Sequence, residues 1–177
     1  TTVGVATVSA STGASNERFT GNNSASLSLS VNAPQEIAVS GNGQAIANGD
    51  NTPSVADHTD FGAVAVTSGT IVRTYTVSNL GTATLTLGAL TIGGPHAANF
   101  SLITPPATSV AVGSGTSFQI SFDPSAVGLR SASVSLANDD TDENPYSFSI
   151  QGSGTNSAPT ISDVTNQSIL EDGNTGA

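Results

Sequence analysis

The stretch Phe118-Gln-Ile-Ser-Phe122 decides the fold class, because apolar and polar residues alternate through it. The same alternation recurs in Ala132-Ser-Val-Ser-Leu136 and in Tyr146-Ser-Phe-Ser-Ile150. A period of two is typical of a strand with one buried face and one face in water. No window shows sustained helical spacing, and only the run from Pro95 to Phe100 predicts a short helical turn. The sequence therefore predicts an all-β protein.

Turn signals separate the predicted strands at short intervals, among them Asn42-Gly43, Asn48-Gly49, Gly113-Ser-Gly115 and Asp123-Pro124. Many short strands at this spacing are typical of an antiparallel β-sandwich, here with about seven to nine strands. The predicted core includes Phe100, Phe118, Phe122 and Phe148. Asn79 and Gly81 are expected to supply the special backbone angles of a hairpin turn.

Charge excludes several classes of partner. The 177 residues carry 13 acidic side chains against three basic ones, Arg18, Arg73 and Arg130, for a formal net charge of -10. Three scattered arginines do not neutralise a run of phosphates, which excludes nucleic acids and anionic membrane surfaces. Without Cys, neither a disulfide nor a zinc–thiolate site is available. No apolar run approaches the ~18 residues of a membrane span, so we expect no membrane insertion.

The chain divides into three parts. Residues 35–155 are predicted to form one immunoglobulin-like sandwich. Residues 1–34 contain two strand patterns, which we interpret as the last strands of a preceding unit or as extra strands. Residues 156–177 are interpreted as a linker, whose Gly/Ser-rich pattern starts at Gly152 and ends at Pro159, and the first strand of a following unit. Partial strands at both ends predict a segment of a longer tandem array.

Residues 35–155 also resemble a known family, the bacterial choice-of-anchor D repeat, a Hydin- and major-sperm-protein-type immunoglobulin-like domain. The resemblance is carried by Thr76-Val-Ser-Asn-Leu-Gly81, Ala98-Asn-Phe-Ser-Leu102, Phe118-Gln-Ile-Ser-Phe-Asp-Pro-Ser-Ala-Val-Gly128 and Gln151-Gly-Ser-Gly-Thr155. Separately, the stretch from Ala158 to Asp172 resembles the opening of a bacterial cadherin-like repeat. These resemblances imply a non-catalytic structural repeat of a secreted or cell-surface bacterial protein: a spacer, an adhesin stalk or a fibre subunit.

The densest acidic segment lies between two predicted strands and is expected at a hairpin tip. Its candidate metal ligands are Asp139, Asp140, Asp142, Glu143 and Asn144. Like charges this close repel one another, and Ca²⁺, which takes six to eight oxygen ligands, relieves such repulsion. The segment lacks the central Gly and terminal Glu of an EF-hand. A calcium site and a solvated acidic turn both remain open interpretations.

A second acidic segment supplies three more candidate metal ligands, Asp50, Asp57 and Asp60. If this segment folds towards the hairpin, the two share one ion; otherwise the Asp side chains form ordinary Asx turns. His58 beside two Asp is a candidate transition-metal ligand or simply an exposed histidine, whereas we expect His96 to be structural. By the cadherin-like resemblance, Glu171 and Asp172 are candidates for a junction calcium site.

No catalytic constellation is recognisable in the sequence. Gly-x-Ser-x-Gly at a strand-to-helix turn is absent, and only two His are present. We therefore predict a protein that is not an enzyme. Its expected partners are neighbouring domains or subunits of the same protein, including a filament built by strand addition. The alternative is a carbohydrate- or protein-binding adhesion module, although Tyr75 and Tyr146 both lie in strand patterns and leave no obvious aromatic platform for glycans.

Overall fold

The alternating stretches form strands in the structure, a computed structural model that describes residues 34–67 and 69–156. Ten strands and a single 3-10 turn, Ala97–Asn99, occur in this part of the chain. The strands are β1 Ile37–Gly41, β2 Gln44–Ile46, β3 Asp60–Ala65, β4 Ile71–Asn79, β5 Leu85–Gly93, β6 Phe100–Thr104, β7 Ser109–Val110, β8 Gly115–Phe122, β9 Gly128–Asn138 and β10 Tyr146–Thr155. The all-β prediction is confirmed. The predictions for residues 1–33 and 157–177 concern residues that lie outside the described part of the chain.

The strands form two five-stranded sheets, in the orders β2-β1-β4-β8-β6 and β3-β10-β9-β5-β7. The strand count exceeds the expected seven to nine because β2 and β7 have only three and two residues. Neighbouring strands run antiparallel except β3, which pairs parallel with β10. Sequence alternation does not reveal this exception, because parallel and antiparallel strands both alternate between two faces.

The buried faces of the two sheets meet in one apolar core, and the four Phe predicted for it are all buried. Tyr75 stacks on Phe118, with ring centroids 5.0 Å apart. Phe100 stacks on Phe122 at 4.8 Å. Gly152 of β10 lies against the Phe122 ring, and a Cβ added there would collide with it. A glycine is needed at this position of β10 so that the two sheets can approach.

Asn79 and Gly81 do not act as predicted. Neither has a positive φ, and the chain between β4 and β5 crosses from one sheet to the other instead of closing a hairpin. Asn79 is fully buried, and its amide donates to the carbonyls of Ala83 and Val110 at 2.8 and 2.9 Å. Gly81 is packed against the backbone from Pro34 to Glu36, where a Cβ does not fit. The pair therefore joins the crossover to the start of the domain.

The described chain begins and finishes at opposite ends of the sandwich. Ile37, the first residue of β1, donates its N–H to Asp140 in the β9–β10 connection, and we call this the hairpin end. Strand β10 starts there and runs to Thr155, beside Val66, at what we call the far end. Its nine residue steps span about 30 Å. The backbone thus passes through the domain along its strands.

Candidate functional site

The β9–β10 connection, residues 139–145, is held by its own polar groups and by strand β5; we call it the acidic hairpin. The Asn138 side-chain amide donates to the carbonyls of Leu136 and Glu143. The Asp140 N–H donates to the Asn138 side-chain oxygen at 2.9 Å. Asp139 exchanges two hydrogen bonds with the Thr86 backbone. The predicted hairpin tip is confirmed, and its backbone is fixed from both flanks.

Asp140 joins the two sheets at the hairpin end. The residue is 1% exposed, and its Oδ2 accepts the Ile37 N–H at 2.9 Å. Its other oxygen, Oδ1, is buried and has no hydrogen-bond partner among the described residues. Burial raises the pKa of the Asp140 carboxyl, and the neighbouring Asp142 carboxyl adds to this, whereas the backbone N–H groups of Ile37 and Asp142 lower it. The carboxylate is structural through one oxygen and unsatisfied at the other.

Glu143 repeats this pattern on the same turn. Its Oε2 is buried without a hydrogen-bond partner among the described residues. Burial raises the pKa of Glu143, and the charges of Asp140, Glu36 and Asp142 raise it further. Sequence reasoning missed Glu36, which comes from the chain just before β1. Because Glu36 and Glu143 are 107 positions apart, no local sequence pattern indicates that they lie near each other.

The second acidic segment behaves differently. Asp50 Oδ1 accepts both the N–H and the hydroxyl of Thr52, which lowers the pKa of Asp50. Asp57 Oδ1 accepts the N–H and hydroxyl of Thr59 in the same way. Asp60 accepts the Gly62 N–H through Oδ1 and the Gln151 side-chain amide through Oδ2. These are Asx-turn contacts, the alternative that the sequence left open.

The two segments do not combine into a conventional metal centre. Asp50 pairs with Phe148 beside the start of β10, and Asp60 lies further along that strand, opposite Gln151. Within residues 34–67 and 69–156, no three His, Asp or Glu side chains are grouped so that they could hold a metal ion. The calcium predictions for Asp139, Asp142, Asn144 and the other candidates stay predictions. The candidates Glu171 and Asp172 lie outside the described residues.

His58 lies in a strained and partly buried position. Its φ is 68°, in the left-handed region that residues other than Gly rarely adopt. Its carbonyl accepts the Tyr75 hydroxyl at 2.8 Å, and its Nδ1 is buried without a partner. Burial lowers the pKa of His58, and the Arg73 guanidinium lowers it further, against the Asp57 carboxylate, which raises it. His58 is therefore not the exposed histidine of the sequence interpretation.

His96 is structural, as predicted. Its N–H donates to the Ser131 carbonyl, and its Nδ1 accepts the Ser131 N–H at 3.0 Å. In this way the residue continues the pairing along the edge of β9. Neither histidine ring contacts a serine hydroxyl, so the described residues contain no Ser–His pair.

A shallow groove crosses the outer face of β9 and β10. It has a volume of ≈ 300 Å³ and is lined by Asn51, Pro53, Gly94, Pro95, Ser131, Ala132, Ser133, Ser149, Ile150 and Gln151. No aromatic residue lines it. Every Phe and Tyr between residues 34 and 156 is buried in the core. The groove therefore lacks the stacking surface on which sugar rings usually rest.

Comparison with known proteins identifies the family of the domain. Residues 54–153 match the family model of the HYDIN/CFA65/VesB-like Ig-like domain. The Hydin-type part of the resemblance is thereby confirmed, whereas the choice-of-anchor D and cadherin-like parts stay predictions. No curated protein matches the chain. No helix in the described part of the chain is long and apolar enough to cross a membrane.

Solved structures resemble the chain at low sequence identity. A protein of unknown function from Porphyromonas gingivalis W83 is 15% identical with a TM-score of 0.50, covering 71% of this chain and 49% of that one. The secreted serine protease VesC from Vibrio cholerae is 14% identical with a TM-score of 0.45, covering 56% and 22%. A PapD-like domain of human CEP192 is 12% identical with a TM-score of 0.45, covering 81% and 100%. The chain spans about half or less of the first two, and these identities concern the fold alone.

Proposed function

Because the chain belongs to the HYDIN/CFA65/VesB-like Ig-like domain family, we propose that it is a non-catalytic structural module, a spacer or stalk unit of a secreted or cell-surface bacterial protein. The observation that carries the proposal is the path of the backbone. It enters at the hairpin end, next to Asp140, and leaves after Thr155 at the far end. A module traversed in this way separates whatever precedes it from whatever follows it.

The surface supports this role. On the outer face of β9 and β10, Ser135 lies opposite Ser147 and Ser133 opposite Ser149. Hydroxyl-bearing strand faces are well hydrated without attracting charged partners. Eight of the nine acidic residues between positions 34 and 156 lie in loops, and the ninth, Asp60, opens β3. Five of the nine, Glu36 and the four acids of the acidic hairpin, lie at the hairpin end, where a preceding unit would meet the domain.

Catalysis finds no support in the described residues. The two His are a strained loop residue and a strand-edge residue, and neither contacts a serine hydroxyl. The proposed partners are adjacent domains or further copies of the same protein, including those joined by strand addition. A carbohydrate-binding role is the weaker alternative, because the groove on β9 and β10 has no aromatic lining.

The path of the backbone is testable in solution, because the chain contains no Cys. We would replace Pro34 and Asn156 with Cys in the full chain and attach a donor and an acceptor dye. Energy transfer should report a separation of about 30 Å, the span of β10. A second pair, Pro34→Cys with Asp139→Cys, keeps both dyes at the hairpin end and should give nearly complete transfer.

Two results would count against the proposal. Equal transfer for both dye pairs would mean that the backbone returns to the end at which it entered, so the module would not act as a spacer. Saturable binding of the full chain to defined oligosaccharides on a glycan array would favour the carbohydrate-binding alternative instead.

A further inference from the structure

We propose that the two ends of the sandwich are docking surfaces for each other, so that the far end of one copy of this chain binds the hairpin end of a second copy. The inference rests on the proposed role as a module between neighbouring units, and it names the surfaces through which two units touch. Three observations support it: the positions of the exposed apolar side chains, the backbone that holds them and the distribution of charge.

Exposed apolar side chains are concentrated at the two ends. Seven large apolar side chains are exposed in the described part of the chain. Five of them lie at an end of the sandwich: Leu80 and Val112 at the hairpin end, and Val72, Val127 and Leu129 at the far end. Single exposed apolar residues are ordinary on a protein surface, whereas grouped ones indicate an interaction surface.

Leu80 and Val112 form what we call the hairpin-end pair. They are 61% and 52% exposed. The Gly113 N–H donates to the Asn79 carbonyl at 3.0 Å, which places the backbones of Leu80 and Val112 next to each other. The Leu80 N–H donates to the Glu36 carbonyl at 2.8 Å. The pair therefore adjoins the segment by which the backbone enters the domain.

Val127 and Leu129 form what we call the far-end pair. They are 52% and 57% exposed and flank Gly128, whose φ is 105°. The Arg130 side chain donates to the Val127 carbonyl at 2.9 Å and so holds this turn. Gly128 lies opposite Gly154, the last residue but one of β10. The pair therefore adjoins the segment by which the backbone leaves the domain.

Charge favours the pairing of unlike ends. Glu36 and the four acids of the acidic hairpin give the hairpin end a strong negative charge. Arg73 and Arg130 both lie in the far half of the sandwich, where Asp60 and Asp123 match them in number. Two hairpin ends in contact would bring both acidic groups together, and like charges across an interface repel. A hairpin end against a far end avoids this repulsion.

A contact between unlike ends has a definite consequence for assembly. Each contact uses one hairpin end and one far end, so the complex always keeps a free end of each kind. Such a heterologous interface extends into an open chain of copies unless a ring closes. A contact between like ends would stop at a dimer instead.

The experiment measures self-association of the full chain by sedimentation velocity over a range of protein concentrations. About 0.5 M NaCl screens the repulsion between the negatively charged copies. The wild type should form species larger than dimers as its concentration rises. One variant carries Leu80→Ser with Val112→Ser, the other carries Val127→Ser with Leu129→Ser, and each alone should stay monomeric because one surface is missing. Their equimolar mixture should form dimers and nothing larger, because each variant retains the surface that the other lacks.

Val55→Ser with Ile103→Ser is the matched control. These two side chains are 61% and 54% exposed, but they lie beside and within the edge strands β3 and β6 rather than at an end. This variant should associate like the wild type. Because all six substituted side chains are exposed, the melting temperatures should stay close to that of the wild type.

The proposal is overturned if the wild type stays monomeric at the highest concentration, or if the control variant loses association as well. It is also overturned if either end variant still associates alone, or if the mixture of the two does not dimerise. The dye-pair experiment above is made within single copies and tests the spacer role separately. A monomeric wild type with the expected dye separation would reject the docking of ends and leave the spacer role standing.

Discussion

The acidic hairpin and the segment from Asp50 to Asp60 look alike in composition but differ in how their carboxylates are used. In the Asp50 to Asp60 segment, each Asp accepts two hydrogen bonds from nearby N–H, hydroxyl or amide groups. In the hairpin, Asp140 and Glu143 each keep a buried oxygen without a donor. Both segments are acidic, with four acids between positions 139 and 143 and three between positions 50 and 60, but their carboxylates meet different hydrogen-bond donors.

This difference shows that acidic residues grouped in sequence can have different structural roles. Thr52 and Thr59 follow their Asp partners by two positions and satisfy them locally. The hairpin also has a Thr, Thr141, between its acids, but the buried Asp140 accepts the N–H of Ile37 from the opposite sheet. Three experiments test whether the two segments differ in this way.

Asp140→Ala should produce the largest effect. It leaves the Ile37 N–H buried without an acceptor, and hydrogen bonds to charged groups contribute about 1.5–3 kcal/mol. We expect the free energy of unfolding to fall by about 2 kcal/mol in chemical denaturation. Asp123→Ala, at an exposed position, should change it by less than about 0.5 kcal/mol. Unchanged stability of the Asp140→Ala variant would show that the contact between Asp140 and β1 is dispensable.

Replacing Asp by Asn should lower the stability of the protein in the Asp50 to Asp60 segment but not in the acidic hairpin. Asp57→Asn keeps an oxygen for Thr59 but loses the charge that strengthens both bonds, so unfolding should become easier by about 1 kcal/mol. Asp140→Asn keeps the Ile37 contact and removes one of several crowded negative charges, so in chelator its stability should be unchanged or higher. Denaturant titrations of both variants in the same calcium-free buffer measure the free energy of unfolding. Equal losses of stability would show that the two segments do not differ in this way.

The smallest effect concerns pH and His58. Because burial and Arg73 lower its folded-state pKa below the ordinary value near 6.5, protonation favours the unfolded chain. The contribution is complete above about pH 6.5 and is lost as the pH falls below it. His58→Asn tolerates the positive φ and has no titrating group, and Asp57, Arg73 and Tyr75 around it are unchanged. The difference in melting temperature between wild type and variant should therefore shift in favour of the variant from pH 7.5 to pH 5; a constant difference would contradict it.

The sequence was sufficient for the fold class, the hairpin tip and the aromatic core, because alternation and turn residues act locally. The 3-10 turn between Pro95 and Phe100 followed from the same signals. Long-range contacts were not accessible in this way. Asn79 was interpreted as a turn residue, but its amide reaches Val110, 31 positions away. A local pattern predicts which face of a strand a residue occupies, but it does not predict which distant residues the side chain contacts.

The candidate site was predicted only in outline. The sequence placed Asp140 and Glu143 among eight candidate ligands and favoured the hairpin segment, but it gave no reason to separate these two from Asp139, Asp142 and Asn144. Their distinction depends on Ile37, 103 positions from Asp140, and on the nearby charge of Glu36. Thr52 and Thr59, by contrast, lie two positions after their Asp partners, a local spacing typical of Asx turns.

The path of the backbone through the sandwich also has a mechanical consequence. A pull between Pro34 and Asn156 acts on β1 at Ile37 and on β10 at Thr155, in opposite directions and along the strands. Interstrand hydrogen bonds of the antiparallel ladders lie across that direction. The nine residue pairs that join β10 to β9 are then loaded together in shear, rather than opened one after another. Under such a load many hydrogen bonds of this ladder would have to break at once.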